Sequence, residues 1–173
     1  MKRFSVHLVV LILVSLISLG MACAGGAGGA HVVKKNAAGG VSGGSVRGVK
    51  GASGGTKGFA TDGQGNVAGG SAAVVKAPSG AKGARAGGFT RSSDGTVQHK
   101  SGMAVSGQKG SATSSGSATK DSSGNVSADR STTATSTSGS SYQGSTTYNK
   151  GSGVSHSGTC KDAAGNVVTC PKP

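Results

Sequence analysis

Cys160 and Cys170 are the residues of this chain whose type and spacing state a chemistry most directly. They stand ten positions apart without a C-x-x-C arrangement, which points to a structural disulfide of an oxidising compartment rather than a redox site. The third cysteine, Cys23, lies in Gly20-Met21-Ala22-Cys23-Ala24. Ala22-Cys23-Ala24 fits an A-x-A signal-peptidase site. The alternative is lipidation of Cys23, for which Gly20 stands where a lipobox leucine is expected.

The remaining candidates assemble no reaction centre. His31, His99 and His156 are far apart in sequence and lack carboxylate neighbours at metal-ligand spacing. His156 with Cys160 resembles a nucleophile pair, but Cys170 accounts for Cys160 better. Gly63-Gln64-Gly65-Asn66-Val67-Ala68 matches G-x-G-x-x-A, yet no apolar strand precedes it and no helix former follows. No Gly-Lys pair exists for a P-loop, and no paired carboxylates exist for acid–base work. There is no Glu, and the acids are Asp62, Asp94, Asp121, Asp129 and Asp162. The sequence therefore predicts a non-enzymatic protein with no catalytic residue, cofactor or metal.

Residues 1–24 read as an export signal. Met1-Lys2-Arg3 is a basic n-region and Phe4–Leu19 an apolar h-region, too short for a membrane span of about 20 residues. A signal-peptide helix is expected there, and no transmembrane span in the mature chain. Every Leu and Ile of the chain falls before residue 20, while Gly contributes 34 residues overall. Burying an aliphatic side chain is worth roughly 1.5–3 kcal/mol, and ordering one residue costs roughly 1–2 kcal/mol. The fold class expected from this balance is a mostly disordered, low-complexity chain with weak all-β hairpin repeats and no compact core. Residues 25–57 read as a flexible Gly/Ala-rich linker.

Over 58–157 a degenerate repeat appears. Its copies end Asp62-Gly63-Gln64-Gly65-Asn66-Val67, Ser92-Ser93-Asp94-Gly95-Thr96-Val97 and Asp121-Ser122-Ser123-Gly124-Asn125-Val126. A fourth, Asp162-Ala163-Ala164-Gly165-Asn166-Val167, lies in a C-terminal hairpin over 158–173 that the disulfide closes. An Asp or Ser that accepts backbone hydrogen bonds, followed three residues later by a Gly free to take positive φ, describes a type I turn with a Gly bulge. The turn positions are Asp62, Gly65, Gly95, Asp121, Gly124, Asp162 and Gly165. The last interval is longer, as if an insertion carried Tyr142 and Tyr148. Pairing Asp162 with Asn166 would set Cys160 opposite Val168, with Cys170 reaching it diagonally.

Lys and Arg number 18 against 5 acids, a formal charge of +13 that falls to +11 without Lys2 and Arg3. Such a chain is drawn to anionic polymers or surfaces. It has too few aromatic platforms to predict specific nucleic-acid binding. The expectation is a secreted, periplasmic or envelope protein, or an outer-surface lipoprotein if Cys23 is acylated. It would contact anionic envelope polymers or matrix and could self-associate through strand edges. The alternative is a secreted cationic antimicrobial or toxin-like polypeptide.

Overall fold

The computed structural model describes residues 29–35, 41–49 and 53–170. The signal segment 1–24, with Cys23, and the closing residues 171–173 lie outside the described residues.

The β-branched and small polar residues between the Gly turns form antiparallel strands in strict sequence order. They are β1 (Gly29–Lys35), β2 (Val41–Val49), β3 (Ser53–Thr61), β4 (Val67–Lys76), β5 (Lys82–Arg91), β6 (Val97–Gly107), β7 (Gly110–Lys120), β8 (Val126–Ser136), β9 (Ser141–Asn149), β10 (Gly153–Lys161) and β11 (Val167–Val168). Each pairs with the next, giving one eleven-stranded meander. The unbroken stretch from β3 to β11 supplies nine of the strands, and no helix occurs among the described residues. The expected mostly disordered, low-complexity chain with weak all-β hairpin repeats and no compact core is therefore incorrect: the hairpins join into one continuous antiparallel sheet. Strands β1 and β2 and the start of β3 lie in the stretch 25–57 expected to be a flexible linker.

The physical reason lies in what the sequence estimate left out. It weighed buried aliphatic side chains, and these are indeed scarce: Cys160 at 8% and Ser114 at 9% exposure are the best-covered side chains among the described residues. The sheet coheres instead through its ladder, where each net hydrogen bond contributes roughly 0.5–1.5 kcal/mol. Large side chains then roof the glycines. A Cβ added at Gly69 would lie 2.6 Å from Cε1 of Phe89, and one at Gly158 would lie 2.9 Å from Cε2 of Tyr142, which also covers Gly144. Rings laid over neighbouring glycines restore packing that glycine forgoes.

The turns set the repeat. At Asp121 the amide donates to Asn125 O at 3.0 Å, and Gly124 N–H donates back to Asp121 O at 3.1 Å, with φ of 82° at Gly124. The same pair of bonds recurs at Ser92–Thr96 and Asp162–Asn166. It also recurs at two places without the Asp-to-Val frame, Ala77–Ala81 and Ser136–Ser140. The unit is thus one strand plus one turn, and the intervals from Val67 to Val97 and from Val97 to Val126 are two units each. The longer interval before the last copy holds three, because β9 is an added strand. That odd number puts the Asp162 turn at the opposite end of the sheet from the turns at Asp62, Ser92 and Asp121.

Candidate functional site

Residues directly opposite in an antiparallel ladder share a face, so the register sorts every strand residue to one side or the other. One row runs Phe59, Gly69, Phe89, His99, Ala118, Ala128, Tyr148, Val154 across β3 to β10. Met103, Tyr142 and Cys160 belong to the same face by register. All the Phe and Tyr residues beyond the signal segment therefore stand on one side. Phe59 and Phe89 are each 42% exposed and Met103 44%, so these side chains face outward rather than into a second layer.

The cations Lys35, Lys57, Arg85, Arg91, Lys120 and Arg130 occupy this aromatic face as well, all exposed. Among the described strands it carries no Asp or Glu. Asp129, the acid borne by a strand, pairs with Ser117 on the other face and accepts a hydrogen bond from its hydroxyl. Arg130 lies flat on the aromatic face: its Nε donates to Ser114 Oγ at 2.8 Å, and its Nη2 approaches Met103 Sδ at 3.7 Å. His156 is held by Thr146 Oγ1 at 2.8 Å from Nδ1, with the Tyr142 hydroxyl 3.4 Å from Nε2.

The opposite face is built differently. On β7 its positions are Ser111, Thr113, Ser115, Ser117 and Thr119, and β8 to β10 continue the pattern with Ser and Thr at most sites. Hydroxyls meet across strands, Thr113 with Thr133 at 2.7 Å and Ser145 with Ser157 at 2.9 Å. Lys76, Lys82, Lys100 and Lys161 are its cations on β4 to β10.

The turn residues anticipated from sequence are structural. Asp62, Asp121 and Asp162 each accept from the side-chain amide and the backbone N–H of the Asn four residues on. These bonds, the side-chain one foremost, hold all three carboxyls below their ordinary value of 3.8. Gly65, Gly95, Gly124 and Gly165 all take positive φ. At Asp62 the turn differs, since Gly63 also has positive φ, 74°. Cys160 and Cys170 form a disulfide with Cα atoms 5.3 Å apart. Cys160 faces Val168 as the register predicts, and β11 ends there, so that Cys170 leaves the ladder and closes the diagonal gap. No group of three or more His, Cys, Asp or Glu that could hold a metal occurs among the described residues. Sequence reasoning missed the division into faces, whose signal is the parity of each residue within a strand of known register.

No protein-family model, curated protein or solved structure matches the chain.

Proposed function

We propose that this is an exported, non-enzymatic binding protein that holds an extended anionic polymer against its aromatic face. The observation that carries the reading is the coincidence of rings and cations: Lys57, Arg85, Arg91, Lys120 and Arg130 share that face with every Phe and Tyr of the described strands and with no acid, whereas the lysines of the other face have no ring beside them and Asp129 among them. A single-sign surface of this kind raises the local concentration of polyanions and loses that effect as salt screens it. Export is supported by the tripartite leader and by the Cys160–Cys170 disulfide, which suits an oxidising compartment.

The test compares two variants of equal charge change. Arg85→Glu with Arg130→Glu should lower affinity for a polyphosphate or a sulfated polysaccharide more than tenfold at low salt. Lys76→Glu with Lys82→Glu, on the hydroxyl face, should change it less than twofold. Equal losses from both pairs, or binding that ignores salt, would overturn the reading.

A further inference from the structure

The aromatic row has a property that charge attraction alone leaves without use. Phe59, Phe89, His99 and Tyr148 lie in a single line perpendicular to the strands. From β3 to β9 that line spans about 28 Å at the usual strand spacing. The next rows of the same face lie roughly 6.7 Å to either side, two residues along each strand. One flank carries Arg91 and Lys120, and the other carries Lys57 and Arg130. Between His99 and Tyr148 the floor drops to Ala118 and Ala128, low enough for a flat group to lie on the backbone.

A sulfated or uronic glycan meets the cations, but its puckered, charged rings match a file of flat exposed rings less closely than planar bases do. Exposed apolar rings gathered on one face mark a contact surface rather than a solvated one. We infer that the row is a stacking platform for single-stranded nucleic acid, bound without regard to base sequence. This rests on the anionic-polymer reading and names the polymer. A single strand presents both requirements at one spacing: planar bases that stack on rings, and phosphates that a cation flank can follow. Surfaces that bind single strands combine these two elements, with site sizes of roughly 4–16 nucleotides, and a track of about 28 Å suits the lower part of that range. Side chains that could read base edges are few along the track, since its neighbours at Ser71, Gly87, Ser101 and Gly116 are small. Recognition by stacking tolerates any base, because every base has a flat face.

The experiment measures binding of the oxidised protein to three fluorescent polymers of matched length and charge: a (dT)20 oligomer, an abasic-spacer oligomer and a sulfated oligosaccharide. The (dT)20 oligomer should bind at least tenfold tighter than the other two. Tyr148→Ala should weaken (dT)20 by about fivefold or more, the span reported for loss of one stacking ring, and leave the abasic oligomer within twofold. Phe89→Ala should do the same provided circular dichroism shows the sheet intact, and Phe89→Tyr should retain wild-type affinity. If (dT)20 and the abasic oligomer bind equally, or the sulfated oligosaccharide binds tighter, the nucleic-acid inference fails while the polyanion reading stands. If none of the three binds at low salt, both fail.

Discussion

The two faces of this sheet share one backbone and one ladder, yet they follow opposite rules of composition. The aromatic face places its large residues over glycines, as Phe89 does at Gly69 and Tyr142 at Gly144 and Gly158. The hydroxyl face uses side chains of nearly uniform size that bond to one another across strands, as at Thr113–Thr133. One face has relief and cations without an acid; the other is level and sets Asp129 among Lys76, Lys82, Lys100 and Lys161. In a sheet with so little buried side-chain area, both faces support the ladder, the aromatic one by roofing glycines and the hydroxyl one by bonds between strands, and they differ in what they expose.

The largest stability effect should come from the staple at the end of the aromatic face. Replacing Cys160 and Cys170 with Ser should cost about 2–3 kcal/mol of local stability, the chain-entropy value for so short a loop. The expected readout is faster amide exchange in β10 and β11 with β3 to β7 unchanged. Uniform loss across the sheet would show that the staple supports the whole meander. A smaller effect is expected from Tyr142→Ala, which uncovers Gly144 and Gly158 and should cost about 1–2 kcal/mol in thermal unfolding from lost apolar burial. Its counterpart on the other face, Thr113→Val, removes one cross-strand hydroxyl pair and should cost about 0.2–1 kcal/mol. If the order of these two is reversed, the hydroxyl face is the one that holds the sheet together.

Acid should weaken the turns without distinguishing the faces. The carboxyls of Asp62, Asp121 and Asp162 are depressed in the folded protein by their Asn partners. Their contribution is therefore complete above the ordinary carboxylate value of 3.8 and is lost as pH falls below it through the folded value. Asn125→Ala should flatten part of that dependence in melting curves taken between neutral pH and pH 2.

Much of the local structure was legible in the sequence. The Asp62, Ser92, Asp121 and Asp162 turns follow from a carboxylate or hydroxyl ahead of a Gly three residues later, and the opposition of Cys160 to Val168 follows from that turn. The Ala77-Pro78-Ser79-Gly80 and Ser136-Thr137-Ser138-Gly139 turns were less visible because they lack the Asp-to-Val frame, although Pro78 with Gly80 in the first and Ser136 with Gly139 in the second carry a turn signal. The continuity of the sheet was not legible, because Gly- and Ser-rich strands give no apolar alternation and the ladder that joins them is backbone. The division into two faces was hidden for a related reason. Phe89 and His99 fall on the same side only once the Ser92–Thr96 turn fixes their register, and one residue of slip would send the ring and the cation neighbours to opposite faces.

The central claim, that one face alone meets the polymer, is open to a single internal comparison. Lysine acetylation followed by mass spectrometry, with and without a saturating single-stranded oligonucleotide or polyphosphate, reports each ammonium separately. Lys57 and Lys120 should become protected while Lys76, Lys82 and Lys100 remain as reactive as in the free protein. Equal protection of both sets, or protection confined to Lys76, Lys82 and Lys100, would contradict the account.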